Sequence, residues 1–467
     1  TAQAETCYPV KLLHGHMAWL AEQGVDYIFM PSVHTMKHES SHVEHNYGCV
    51  YMQTAPRLAA NALDLERRGI TLLSPVFDLD FGQEAMASAM LGVGKQLGIP
   101  KPRCLPALLS GAKAVRRHTA AVEKQGRELL ASLRPDDKVL VLITRNYGLS
   151  DPVLNMGIPR LLLERGHKVI TLSHLPAHNL DLSEDYPNLY WPFGQHILSG
   201  AKLVAHHPNL YAVYLTNHGC GPDTMLSYLF RKEMGDKPYL QIEVDEHFSS
   251  VGVITRIEAF LQSLEGRPVQ PLPAGFSLAT VAHRPTAVAT VPERTGGPLL
   301  VPDLPPFTAY LRAYCEAAWK TVTRTLRLDS TTLPLGRAET SSKEYLPFPA
   351  LLGGILTAAE TESGPFQVLL PSTQGAEADG QYPWGVETVL ERRELCRVKV
   401  IAPELETLPE RCPEPALLFR ALLTGDLLLC APPEQRDALA PAGVPGWAEL
   451  EALAAHIGAI PAEGRPL

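Results

Sequence analysis

Short apolar runs of five to seven residues alternate along most of this chain with longer stretches in which apolar positions recur every three or four residues. The runs at 25–31, 71–76, 138–144, 168–172, 212–216 and 239–244 read as buried strands, and the stretches at 56–68, 118–133 and 155–165 as helices. Strands that are apolar on both faces and alternate with helices predict an α/β protein built of doubly wound parallel sheets, Rossmann- or flavodoxin-like. Residues 266–300 hold six prolines and little helical periodicity, so they read as a linker. Beyond them, strands at 299–302, 367–371 and 398–403 predict another α/β unit, and an Ala/Pro-rich tail from about Pro432 looks peripheral. The expected organisation is a first unit at 1–135, a second at 136–265, a linker at 266–298 and a C-terminal unit at 299–467.

The C-terminal unit echoes the first. Cys7-Tyr8-Pro9 leads to Leu13 and Gly15, and Tyr345-Leu346-Pro347 leads to Leu351 and Gly353 at the same offsets. Each is followed by an apolar strand ending in Pro-Ser, at Pro31-Ser32 and at Pro371-Ser372.

Composition narrows the function classes. With 467 residues, 45% of them hydrophobic and 19% charged, the chain has enough apolar sequence for several cores. A net charge of -9 supplies no basic field for a nucleic-acid backbone. No apolar run is long enough to span a bilayer, and no signal-peptide pattern is present. No GxxxxGK[ST] occurs, so no nucleotide site of P-loop type is expected. A chain that begins on Thr, with a motif at Cys7, reads as a fragment or a processed form of a longer polypeptide.

Eight cysteines, irregularly spaced and without a CxxC, fit a reducing cytoplasm better than a disulfide scaffold. Cys104, Cys315, Cys396, Cys412 and Cys430 read as small buried hydrophobes. Cys220 differs. It lies in Asn217-His218-Gly219-Cys220-Gly221-Pro222-Asp223, between a strand and a helix, where a helix N-terminus lowers a thiol pKa and flanking glycines let a bulky group approach. A ligand or nucleophile role stands there beside a structural turn. Cys7 and Cys49 also precede helical stretches, on the sides of strands where α/β folds place ligands. Three thiolates can hold three irons of a cubane and leave the fourth open. Arg145 follows a strand on the ligand side and suits an anion, such as a CoA phosphate or a carboxylate, or a pairing acid. Asp245-Glu246-His247 offers acid–base groups, or a helix cap. His14, His16, His34, His38, His42 and His45 read as tuning groups or a solvated loop more readily than as a zinc site.

These residues carry a resemblance. Cys7-Tyr8-Pro9-Val10-Lys11 with His14-Gly15-His16, Cys49 with Tyr51, Gln53 and Pro56, Arg145-Asn146-Tyr147 with Asp151-Pro152, and Gly219-Cys220-Gly221-Pro222-Asp223 with Asp245-Glu246-His247 form one set. That set resembles the superfamily of 2-hydroxyacyl-CoA dehydratases, benzoyl-CoA reductases and double-cubane cluster proteins, nearest its long activase-related or activase-fused members. The resemblance is dense over 5–264 and weak over 299–400. It implies one 4Fe-4S cluster on Cys7, Cys49 and Cys220, with Arg145, Glu246 and His247 as candidate catalytic groups. It further implies an activase ATPase as electron-donating partner, separate or fused, in an anaerobic cytoplasmic system. The substrate class it implies is a (2-hydroxy)acyl-CoA dehydrated through a ketyl radical; reduction of another low-potential acceptor and a non-catalytic scaffold role are the alternatives. A homo- or hetero-oligomer is implied as well. In the C-terminal unit, Tyr345 and Glu377 stand where the resemblance expects thiolates, so that unit is expected to keep the fold without a cluster.

Overall fold

The apolar runs become strands and the periodic stretches helices in a computed structural model of the chain, which describes residues 6–36, 40–43, 46–79, 82–247, 249–269, 288–341, 343–405 and 413–459. The chain divides into two compact units, 1–286 with 375–378, and 287–374 with 379–467. The first two α/β units expected from sequence thus lie in one compact unit. No helix among the described residues is long and apolar enough to cross a membrane.

The first unit opens with helix α1 (Tyr8–Glu22), strands β1 (Tyr27–Phe29) and β2 (Ser32–Val33), helix α2 (Val50–Ala62), and strands β3 (Thr71–Leu73) and β4 (Val76–Phe77). β1 pairs with β3 and β2 with β4, both in parallel. A hairpin of α3 (Gly82–Gln96) and α4 (Lys101–Ala131) follows. The remainder is β5 (Val139–Ile143), α5 (Asn146–Ser150), α6 (Ile158–Glu164), β6 (Lys168–Thr171), α7 (Pro192–His206), β7 (Leu210–Asn217), α8 (Gly221–Met234), β8 (Leu240–Val244) and α9 (Ser250–Leu264). These strands form a parallel sheet in the order β6-β5-β7-β8.

Every residue of β5 and β7 is buried, which explains why both read as unbroken apolar runs. Leu140, Leu142, Val213, Leu215, Ile242 and Val244 on one face pack against Ile158 and Leu162 of α6, Ile257 and Phe260 of α9, and Tyr8 of α1. Burial stabilises by about 1.5–3 kcal/mol for each such side chain. The helix expected at 56–68 starts six residues earlier, at Val50, and carries the buried Pro56 in its interior. Packing overrides the proline as a start signal there.

The second unit holds β9 (Leu299–Pro302), α10 (Phe307–Trp319), β10 (Thr323–Leu326), α11 (Leu333–Glu339), α12 (Pro347–Thr361), β11 (Phe366–Leu369), α13 (Tyr382–Arg392) and β12 (Val398–Ile401), followed by helices Pro415–Leu429 and Trp447–Ala459. Its parallel sheet, β10-β9-β11-β12, has the same order as that of the first unit: second, first, third, fourth. β10 escaped the sequence reading because it is an edge strand whose two middle residues are exposed. The tail expected to be peripheral contributes Leu453 and Ile457 to a small core with Ala431.

The echo seen in sequence is structural. In both units a helix, a strand ending in Pro-Ser and a second helix lead to a strand parallel to the first. The Ser32 N–H donates to the Pro75 carbonyl at 3.0 Å, and the Ser372 N–H to the Pro403 carbonyl at 2.9 Å. Gly48 and Gly380 each precede the residue that N-caps the second helix. A Cβ on either would meet the carbonyl oxygen after the serine, Val33 at 2.4 Å and Thr373 at 2.5 Å. The counterpart of Cys49 is therefore Gln381, not Glu377. The loop from Ser372 to Gly380 is half as long as that from Ser32 to Gly48, which shifts any match made by sequence alone.

A titratable group is built into the sheet support. His207 follows α7, is 6% exposed, and accepts the Asn209 N–H on Nδ1 at 3.3 Å. Burial first, then the Lys237 ammonium, lower its pKa to about 4 from 6.5. A depressed histidine contributes stability that is complete above pH 6.5 and is lost as pH falls towards 4. His207→Gln is expected to flatten that acid limb of melting temperature against pH, by about 1–3 kcal/mol across the window. An unchanged profile would dismiss the assignment.

Candidate functional site

Three helices of the first unit start on a cysteine. Cys7 is the N-cap of α1, Cys49 of α2 and Cys220 of α8, all with extended backbone and none with a side-chain capping bond. Ser, Thr, Asp and Asn normally fill such positions because an oxygen accepts the free N–H groups of the first turn. A thiol gives up that bond, and its sulfur stays available. All three are buried, at 6–8% exposure.

One guanidinium joins two of them. Arg145 ends the turn after β5 as the N-cap of α5 and is 4% exposed. Its Nη2 lies 3.0 Å from Cys220 Sγ and its Nη1 3.8 Å from Cys49 Sγ. Its Nε donates to Asp223 Oδ1 at 3.3 Å, and its Cζ stands 3.8 Å from the centroid of the Phe193 ring. Asp223 is fixed in turn, because its Oδ2 accepts the Asn217 backbone N–H at 2.9 Å and Asn217 Nδ2 at 3.3 Å. Cys7 shares an apolar cluster with Cys220, Val10 and Ala55. The Tyr8 N–H donates to the His218 carbonyl at 3.1 Å, tying the start of α1 to the β7–α8 turn.

Gly219 makes that approach possible. Its φ is +68°, and a Cβ there would stand 3.2 Å from the Thr6 carbonyl oxygen and 3.3 Å from Cys7 Cα. Gly219→Ala carries both the left-handed backbone penalty, about 1–2 kcal/mol, and a push against Cys7. The expected result is a less stable first unit and a displaced Cys7, read by thermal melting and by faster alkylation of that thiol. Wild-type values in both assays would show that the close contact is not needed.

The electrostatics correct one expectation. A helix N-terminus was expected to lower the Cys220 pKa, yet burial outweighs it. Cys7 is pushed up to about 11, chiefly by desolvation and against the opposing Val10 N–H and Arg145. Cys220 is raised well above 9.0, again by desolvation first, with Arg145 opposing. Burial by itself would lower Arg145, but Cys220, Tyr147, Asp223 and Cys49 together hold it firmly charged. Tyr147, 36% exposed by surface area, is coupled electrostatically to Arg145, Asp223, Cys220 and Cys7. Desolvation, against Arg145, raises its pKa well above 10 and keeps it protonated, a donor that the sequence motif contained without marking.

Glu246 reaches the first turns of α1, the helix that Cys7 caps, while His247 faces solvent. Glu246 Oε1 accepts Lys11 Nζ at 2.6 Å, which pulls its carboxyl below the usual range. His247 is 83% exposed. Asp245 Oδ1 accepts the His247 backbone N–H at 2.8 Å, which is the turn-forming role. Among the histidines, His14 is buried and bonds the Val10 carbonyl, while exposed His42 bonds Asp181. His38 and His45 lie outside the described residues, as does Cys412. Cys315 is a core residue, whereas Cys396 and Cys430 are exposed rather than buried as expected. Tyr345 is 47% exposed. Among the described residues, no group of three or more His, Cys, Asp or Glu side chains is set to hold a single metal ion.

Residues 1–175 match a family model described as CoA enzyme activase uncharacterised domain (DUF2229). The match includes Cys7, Cys49, Arg145 and Tyr147 and ends before Cys220 and Asp223. No curated protein and no solved structure matches the chain. Over those first 175 residues, then, the chain is similar to a domain associated with CoA enzyme activases.

Proposed function

We propose that this chain is the iron–sulfur, electron-accepting component of an ATP-driven, low-potential reductase or dehydratase system. The observation that carries the reading is the set of three cysteines, each sacrificing a helix cap, two of them beside one buried arginine and the third in an apolar cluster with Cys220. Thiolates of a cubane each take a different iron, so sulfurs from three separate helix starts with a cation beside them suit a cluster. Cys7, Cys49 and Cys220 would hold the group, a 4Fe-4S cluster able to take up one electron at low potential and offer one iron without a protein ligand.

The chain's own residues then have separate tasks. Three helix N-termini and Arg145 oppose the negative charge that the bound group would bring. Asp223 and Phe193 fix the guanidinium from two sides, so it is oriented beforehand. Tyr147 holds a proton at its hydroxyl where a substrate oxygen could accept it. The electron donor would be an activase ATPase on a separate or fused chain, and the substrate a CoA thioester such as a 2-hydroxyacyl-CoA. The test is an anaerobic count of iron and acid-labile sulfide on the purified chain. Four of each per chain is the expected result, and a colourless protein that stays iron-free after anaerobic reconstitution would overturn the reading.

A further inference from the structure

The hairpin of α3 and α4 stands apart from the site. α4 runs for 31 residues, about 46 Å at 1.5 Å per residue, and Gly126 is its one buried residue. Residues 109–121 are exposed without exception, through more than three helical turns. A helix without a packed face draws little stability from its own hydrogen bonds. This one also displays large apolar side chains around the hairpin tip: Leu97 (39% exposed), Ile99 (41%), Leu105 (47%), Leu109 (69%) and Val115 (66%). Its charge runs against the chain. Residues 82–131 carry eight Lys and Arg against three Asp and Glu, a net of +5, whereas the whole chain is at -9, which leaves -14 on the rest.

We propose that this hairpin is an arm that grips a second copy of the chain, basic arm to acidic body. Arm-to-arm pairing would bring two segments of net +5 together, which like-charge repulsion opposes. Reciprocal arm-to-body contact satisfies both surfaces and closes as a two-fold dimer. Leu105 and Leu109, one turn apart, form the apolar centre. Lys113, Arg116 and Arg117 supply the polar rim and steer the encounter.

The full chain is examined by sedimentation in low and high salt, alongside Leu105→Glu/Leu109→Glu and Arg116→Glu/Arg117→Glu. All four positions lie on exposed helix surface, so circular dichroism and melting temperature should match wild type. Wild type is expected to sediment as a dimer that dissociates as salt shortens the screening length to about 3 Å near 1 M. Each double variant is expected to raise the dimer dissociation constant roughly tenfold or more. A wild-type chain that is monomeric at every concentration, or a dimer that survives both variants, overturns the proposal. So does arm-dependent binding of phosphatidylserine vesicles by a monomeric chain.

Discussion

Cys220→Ser is expected to strip the chain of its iron and sulfide while leaving the polypeptide folded. Two thiolates cannot hold a cubane that needs three, so the loss should be near complete, with the brown colour lost as well. Stability should move the other way. Serine is among the best N-cap residues and cysteine supplies no capping bond here, so the substitution offers α8 an oxygen for its free N–H groups, a gain of about 0.5–1 kcal/mol in the iron-free chain. Arg145 Nη2, now 3.0 Å from the sulfur, would keep a hydrogen-bond acceptor. Cys7→Ser and Cys49→Ser should behave alike, since both positions are N-caps without a capping bond. Cys396→Ser, at an exposed position, is the control that should keep full iron. Wild-type iron in Cys220→Ser would remove this residue from the ligand set.

Arg145→Met should produce the largest loss of stability in the first unit. The substitution roughly conserves volume over Phe193 but leaves the Asp223 carboxylate, 3% exposed, with only its Asn217 bonds. Breaking one side of a buried ion pair costs about 3–5 kcal/mol, because the remaining charge is stranded out of water. Arg145→Met/Asp223→Asn should recover much of that. Hydrogen exchange would localise the effect, with amides of β5, β7 and α8 losing protection while those of β9–β12 are unchanged. If Arg145→Met retains iron, its reduction potential should be more negative than wild type, because a positive charge beside the reduced group is gone while the Asp223 carboxylate stays. Equal urea midpoints for wild type and Arg145→Met would mean that the pair is not what orders this turn.

The internal repeat shows where reading by motif slips. Tyr345 keeps the sequence offset of Cys7, but α12 begins one residue later on that register, with Leu346 as its N-cap, so Tyr345 stands just before the cap. Gln381 replaces Glu377 opposite Cys49 because a shortened loop hides the correspondence until the strand pairing is seen. Tyrosine and glutamine in place of two thiols fit a unit that repeats the fold without its ligands.

Local period was enough for the strands. β5, β7 and β8 are apolar over their whole length or on alternate residues, and that pattern belongs to the sequence whatever its neighbours do. Cys7 and Cys220 were legible as helix starts in the same way, whereas α2 was expected from Pro56 and begins at Val50, which hid Cys49 as its cap. What tertiary structure alone decided is how those thiols are used. Cys7, Cys49 and Cys220 are separated by 42 and 171 residues, and only sheet order and the Gly219 contact bring them together, two of them beside Arg145. It also reversed the thiol pKa, because desolvation depends on the neighbours that cover a group and not on those adjacent to it in the chain. For the same reason Glu246, which reads as an acid–base group beside a histidine, is occupied by Lys11 from 235 residues away.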